Sequence, residues 1–362
     1  MFVSHLSLKD FRSYENLELS LKAGQNIFIG ENGEGKTNII EALMYLALLS
    51  SHRISSDQPL IKLDSERAYI RAKIESDERT TLVELEINNG KANRAKVNQN
   101  PVRSQKELLG LVKSVCFSPE DLDLVRGDPS ERRSFLDQLL IQQSPRLAGV
   151  ISDYERALKQ RNSLLKSRAP ESSLRSWSEH LATFGGEVIA GRIKLINQIE
   201  PLFQIAYKNL SAKKLAKLGY KSSIPAPSSE KEVNKELMLK VIEEVKSQEI
   251  ERGISLVGPH RDDLILNLGD HPVKGYASHG ESWSIALALR LASYQLFINE
   301  GAKPILILDD VFSELDEGRR EKLLEIADSA EQTFITVAVE NDLPKAIQGA
   351  RFKVEMGKVV IL

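Results

Sequence analysis

The segment Gly30, Glu31, Asn32, Gly33, Glu34, Gly35, Lys36, Thr37 has glycine at its first and sixth positions and ends in Lys-Thr. That spacing is the G-x-x-x-x-G-K-[ST] pattern of a loop that wraps nucleotide phosphates. Glycines let backbone N–H groups close around an anion, and a following helix adds the positive end of its dipole. Lys36 is expected to reach the β- and γ-phosphates of ATP, and Thr37 to place its hydroxyl on Mg²⁺. Asn38 completes the stretch assigned to nucleotide contact. An acidic pair stands far down the chain. Asp309 and Asp310 follow Ile305, Leu306, Ile307 and Leu308, an apolar run that suits a parallel strand buried on both faces. Carboxylates at the end of such a strand lie where ligands bind in open α/β sheets. Asp309 is the candidate Mg²⁺ ligand opposite Thr37. Asp310 is the candidate to polarise an attacking water.

A third segment, Ala277, Ser278, His279, Gly280, Glu281, precedes a long apolar helix. A small hydroxyl, a glycine and a helix N-terminus can again face an anion. Taken alone, the pattern is also that of any serine N-cap. Its position upstream of Asp309 gives it more meaning. It resembles the signature of ABC-type ATPases, in which Ser278 and Gly280 would approach ATP held by a second subunit. Ser313, Glu314, Leu315 and Asp316 match the S-x-L-D loop that those ATPases carry just after the acidic strand.

These groups need elements to hold them. Alternating and short apolar runs predict strands over 2–8, 16–21 and 26–29, with a buried helix over 38–49 behind the glycine loop. Further strands are expected at 68–75, 80–88 and 114–117, and a Ser118-Pro119-Glu120 helix start follows. From about residue 130 to 218 helix formers dominate, interrupted at Pro170 and at Gly185-Gly186. A loop with Pro225 and Pro227 and a helix over 230–247 come next. Strands return at 264–268, 304–308 and 333–339, alternating with helices over 282–299 and 317–328, and 352–362 reads as a closing hairpin. The expected fold is α/β, a head in two sequence-distant parts with a helical arm inserted between them; the resemblance to ABC-type ATPases implies a head of ABC/SMC type, with split lobes and a mixed sheet. The expected boundaries are 1–130 and 251–362 for the two parts of the head and 131–250 for the arm.

Composition narrows the class without naming a partner. The chain has 362 residues and a net charge of −2, so no global positive field draws it to nucleic acid. It has no apolar run long enough for a membrane span and no signal-peptide core, which predicts a cytoplasmic protein without membrane contact. Cys116 is the lone cysteine, and His260, His271 and His279 lack metal-ligand spacing.

Several blocks are similar to those of the RecF proteins, bacterial recombination mediators of the ABC/SMC type. They include Leu8 to Tyr14, Phe117 to Leu122, Arg132-Arg133 with Asp137, Tyr154 with Leu158 to Asn162, Gly258 to Asp263, and Asp309 to Asp316. They run the length of the chain. The resemblance implies an ATP-dependent homodimer with slow, DNA-stimulated hydrolysis, binding of duplex DNA at single-strand junctions, and RecA loading with RecR and RecO in DNA repair, replication and the SOS response. Two departures stand out. Glu281 replaces the glutamine usual in transporters, and the strand ending in Thr336, Val337, Ala338, Val339 lacks the histidine that many ABC ATPases use. The region after Phe117 also lacks a glutamine, so Glu120 or Asp121 is expected to take its contact.

Phosphate contacts need only local clusters of cations. Arg156, Lys159, Arg161, Lys166 and Arg168 form one such stretch, and Lys208, Lys213, Lys214, Lys217 and Lys221 another. Arg94 and Lys96 are further candidates, whereas Arg261 reads as a stabilising or interface residue. The competing reading of each stretch is a solvated helix face. Two other functions compete with a DNA-repair ATPase. A transporter ATP-binding subunit would carry its signature much nearer the phosphate loop. A non-hydrolytic module would not need both Asp309 and Asp310.

Overall fold

The computed structural model describes all residues except 52, 55, 77–78, 212–213 and 345–346. Strands β1 (Phe2–Phe11), β2 (Tyr14–Ser20) and β3 (Gly24–Ile29) lead into α1 (Lys36–Leu48). Strands β4 (Arg67–Ser76), β5 (Arg79–Asn88), β6 (Arg94–Val97), β7 (Asn100–Pro101) and β8 (Ser114–Phe117) follow. Helices α2 (Leu122–Arg126), α3 (Pro129–Gln143), α4 (Leu147–Lys166) and α5 (Glu171–Leu210) come next. Then come β9 (Ala216–Lys221), α6 (Lys231–Arg252), β10 (Asp263–Leu268) and β11 (His271–Pro272). The last elements are α7 (His279–Asn299), β12 (Ile305–Asp309), α8 (Glu317–Ser329), β13 (Gln332–Val337), β14 (Ala350–Glu355) and β15 (Lys358–Ile361). The chain divides into two compact units, one of Met1–Asp121 with Ser293–Leu362 and one of Leu122–Ala292. The second unit therefore reaches beyond the expected 131–250 arm at both ends.

The first unit holds two sheets of different kinds. One is antiparallel, in the order β2-β1-β4-β5-β6-β7. The other runs β15-β14-β3-β13-β12-β8 and is parallel except for β15. Helix α1 is apolar nearly all round, as a helix must be when it has no solvent face. Its residues share one core with both sheets, including Leu6, Ile70 and Leu85 from the antiparallel one and Phe28, Ile307 and Phe334 from the parallel one. The row Phe28, Thr336, Asp309 lies across the parallel sheet in register. The loop after β3 and the carboxylates ending β12 are thus brought to one edge, on either side of β13.

In the second unit, α4, α5 and α6 pack around Tyr154, Leu181, Ile189, Met238 and Ile242. Two features depart from the sequence expectation. Gly185 and Gly186 do not interrupt a helix, because α5 continues through them. A Cβ on Gly186 would lie 2.7 Å from the Lys231 carbonyl and 2.8 Å from the Lys235 amide, so glycine here admits α6 at close range. The stretch after Leu210 is also not helix to residue 218. It forms β9, antiparallel to β10, with Ala216 and Leu218 buried. Pairing with a neighbouring strand overrides the helix preference of Lys, Leu and Ala.

Buried ion pairs tie this unit together. Arg132 forks onto Asp263 at 2.7 and 2.9 Å, and Arg192 onto Asp137 at 2.9 and 2.8 Å. Arg161 sits 2% exposed, 2.5 Å from Glu249 and hydrogen-bonded to Ser178 and Ser255. It is therefore a packing residue and not a DNA contact. Truncating one member of such a pair strands a buried charge, a loss of about 3–5 kcal/mol. Arg261 donates to the Ser255 carbonyl at 2.9 and 3.2 Å. Asp262 collects Tyr220 Oη at 2.6 Å, Ser222 Oγ at 3.2 Å and the Ser223 amide at 2.7 Å.

His260 lies 2.5 Å from Tyr154 Oη. Burial, helped by Arg261, Arg133 and Arg161, pushes its pKa down from 6.5 to about 4. A depressed folded pKa means stabilisation that is complete above 6.5 and is lost as pH falls towards 4. The loss amounts to about 3 kcal/mol. His260→Gln is expected to melt at a temperature that varies less with pH across this window than wild type. Parallel melting curves would place the pH sensitivity elsewhere. Among the described residues, no helix is long and apolar enough to cross a membrane.

Candidate nucleotide-binding site

The phosphate loop hangs between β3 and α1 and is braced from beneath. Tyr14 Oη donates to the Gly35 carbonyl at 3.1 Å, and Asn38 Nδ2 donates to Ser13 Oγ at 2.9 Å. Gly35 has φ 113°, and a Cβ there would fall 2.8 Å from Tyr14 Oη. Only glycine meets both demands. Arg12 grips the buried Glu41 of α1 through two 2.7 Å bonds, which fixes the β1–β2 turn to the helix. The Glu34 carboxylate accepts the Met356 amide of the β14–β15 turn, and its carbonyl accepts that of Gly357 at 3.3 Å. Gly30 and Glu31 face Lys36 with their carbonyls, at 2.7 and 3.2 Å from Nζ, and Asn32 Oδ1 lies at 3.4 Å. Lys36 is 3% exposed. Gly33 lies in the exposed tip of the loop, and Thr37 is half-buried in the first turn of α1.

Across the sheet edge, Lys36 Nζ lies 3.9 Å from Asp310 Oδ2. Asp310 has φ 50°, in the left-handed region that non-glycine residues seldom adopt. Its Oδ1 is buried and has no hydrogen-bond partner among the described residues. Asp309 is 5% exposed, and its Oδ1 accepts Thr336 Oγ at 2.6 Å. Burial raises the Asp309 pKa to about 6, with Asp310 and Glu120 adding repulsion and the Thr336 bond opposing them. Glu120 follows β8 as Asp309 ends β12, and those strands are paired. Asp121, in contrast, is buried with Oδ2 turned back to the Ser118 amide at 3.1 Å. Of the two, Glu120 is the residue whose charge is felt at Asp309. Hydroxyl and carboxylate oxygens such as those of Thr37 and Asp309 suit a hard divalent cation, and the unpartnered Asp310 oxygen suits a water.

Ser278, Gly280 and Glu281 belong to the second unit. The Ser278 amide donates to Glu281 Oε2 at 2.9 Å, and the Glu281 amide donates to Ser278 Oγ at 3.2 Å. That reciprocal pair is a capping box at the start of α7, and glutamine could close it equally well. Replacement of glutamine by Glu281 thus leaves the helix start intact. Its carboxylate also takes Lys214 Nζ at 2.8 Å, which, with Ser278, holds the Glu281 pKa down at about 2. Lys214, one of the candidates for phosphate contact, is accordingly paired with Glu281. Asp316 caps α8 through the Arg319 amide at 3.0 Å.

Thr336, Tyr14 and the Arg12–Glu41 pair were not among the sequence candidates. Tyr14 and Arg12 do lie in the Leu8 to Tyr14 block. Thr336 offered one faint signal, a hydroxyl set among the apolar Phe334, Ile335 and Val337.

A lysine loop and two strand-end carboxylates on one parallel sheet, with a second antiparallel sheet and a helical insert, define the head of an ABC/SMC-type ATPase. The family model for the RecF/RecN/SMC N terminal domain matches residues 2–358. The protein called DNA replication and repair protein RecF from Streptomyces avermitilis is 51% identical over 99% of both chains. That of Kineococcus radiotolerans is 49% identical over 96% of both. A solved structure of the recombination mediator protein RecF-ATP in the RecFOR pathway superposes with a TM-score of 0.91 at 28% identity, over 100% of this chain and 97% of the other. The Smc head domain of Pyrococcus furiosus shares the fold alone, with a TM-score of 0.56 at 17% identity, over 100% of this chain and 96% of that one. The chain belongs to the RecF family.

Proposed function

We propose that the chain is an ATP-switched protein of DNA replication and repair, which dimerises on ATP at DNA and lets go after slow hydrolysis. The observation that carries this reading is Asp310, held in a left-handed backbone with one buried oxygen that has no partner among the described residues and the other 3.9 Å from Lys36. A structural aspartate would not need that placement. In this reading the loop amides and Lys36 bind the phosphates of ATP. Thr37 and Asp309 would hold Mg²⁺, which when bound would neutralise charge on the β- and γ-phosphates. Asp310 orients water and accepts its proton while oxygen attacks the γ-phosphorus and the bond to the bridging oxygen breaks, giving ADP and phosphate. Ser278 and Gly280 would complete the site of a second copy, making the ATP-bound state the dimer.

The names of the relatives support a place in DNA replication and repair, and the RecFOR pathway supports RecR as a partner, with RecO and RecA acting further on. Duplex DNA at single-strand junctions is the proposed substrate surface. Lys217 and Lys221 lie exposed on one face of β9, with Lys208 exposed nearby in sequence. They remain candidates for phosphate contact, whereas Lys213 lies outside the described residues. Arg156 pairs with Asp153 at 3.2 Å and Lys96 with Glu84 at 2.9 Å, so both are discounted.

The test is to measure dimerisation by light scattering and affinity for gapped DNA with ATP, with ADP and with no nucleotide. Dimers and tighter DNA binding are expected with ATP alone. Identical behaviour in the three conditions would refute the switch.

A further inference from the structure

Thr336 is fully buried on β13, between the strand that feeds the phosphate loop and the strand that ends in Asp309. Its hydroxyl does two things at once. It donates to Asp309 Oδ1 at 2.6 Å and accepts the Asp310 amide at 2.9 Å, while its carbonyl lies 3.3 Å from the same amide. One side chain therefore fixes the rotamer of the first carboxylate and the backbone of the second. The second effect matters because Asp310 stands at φ 50°. An L-residue leaves the left-handed region unless its surroundings hold it there. The amide bonds to Thr336 are such a hold. Without them Asp310 would relax and carry its carboxylate away from Lys36.

We infer that Thr336 is a positioning residue for ATP hydrolysis, setting Asp309 and Asp310 through its single hydroxyl. The inference rests on the roles proposed above for those two aspartates. The bland alternative is that threonine is present only because β-branched residues fill a buried strand well. Valine has the same shape and no hydroxyl, so it separates the two explanations. Serine keeps the hydroxyl and loses the methyl.

The test compares wild type, Thr336→Val and Thr336→Ser, with Asp309→Asn and Asp310→Asn alongside. Three quantities are read: affinity for a fluorescent ATP analogue without metal, the Mg²⁺ concentration that half-saturates its effect on that affinity, and single-turnover ATP cleavage. For Thr336→Val we expect metal-free affinity within about twofold of wild type, a Mg²⁺ half-point at least about tenfold higher, and cleavage slowed about a hundredfold, as for loss of a hydrogen bond to a charged group. Thr336→Ser should stay within about threefold of wild type in all three. A valine variant with an unchanged half-point and unchanged cleavage overturns the inference. So does a serine variant as impaired as the valine one, since volume would then be the cause. If Thr336→Val melts far below wild type, Thr336→Ala removes the same hydroxyl without the second methyl, and the same two outcomes are read from it. Normal cleavage by both asparagine variants would instead sink the parent reading. Their failure beside a normal valine variant would sink this inference alone.

Discussion

Asp310→Asn is expected to bind ATP, form the dimer and remain in it. Asparagine keeps the size of the side chain and tolerates the left-handed backbone that Asp310 adopts at φ 50°. The amide bonds to Thr336 come from the backbone and survive. What is lost is a proton acceptor beside Lys36. Removing a general base typically slows turnover by about 10²–10⁴-fold. Asp309 and Thr37 are unchanged, so nucleotide affinity should change little. One charge fewer near a triphosphate could even tighten it. The measurement is a pair: steady-state phosphate release, and the lifetime of the dimer after ATP is chased with ADP. Turnover should collapse and the dimer lifetime should lengthen in proportion. A dimer that falls apart as fast as wild type would separate hydrolysis from release. Full turnover would remove Asp310 from the chemistry altogether.

The phosphate loop and the acidic pair were legible because the residues of each are contiguous. Gly30 to Thr37 and Asp309-Asp310 each sit at the end of one apolar strand, and the periodicity of those strands places them. Thr336 was not legible, because its meaning depends on the register of β13 between β3 and β12. No local pattern states that register. The burial of Arg161 was hidden for a related reason. Arg161 looks like its neighbours Lys159 and Lys166 in sequence, yet its partner Glu249 lies on another helix, and only packing tells buried from solvated. The same holds for Gly185-Gly186. A pair of glycines reads as a break until the close approach of α6 explains it. Local chemistry was readable wherever the partners are near in sequence. Long-range pairing was not.

The capping box at Ser278 sharpens the test of assembly in trans. Ser278 is exposed, and its Oγ already accepts the Glu281 amide. Replacement by a residue whose side chain cannot cap therefore costs about 1 kcal/mol of helix stability. Ser278→Ala removes the cap together with the hydroxyl that would meet phosphate, and adds no bulk. Ser278→Arg adds a bulky cation where a small hydroxyl would have to meet phosphate. Both variants should bind ATP as monomers, since Lys36 and its loop lie in the other unit. The alanine variant should dimerise weakly, while the arginine variant should neither dimerise nor hydrolyse. Mixing Ser278→Arg with Lys36→Met supplies the decisive control. In the mixed dimer one composite site carries both lesions and the other carries neither. Hydrolysis that appears only in the mixture, at up to about half the wild-type rate per dimer if the sites act independently, supports completion by the second copy. If Ser278→Arg alone dimerises on ATP and turns over normally, then Ser278 to Glu281 is a helix cap and nothing more, and ATP cannot be what joins two copies through this segment.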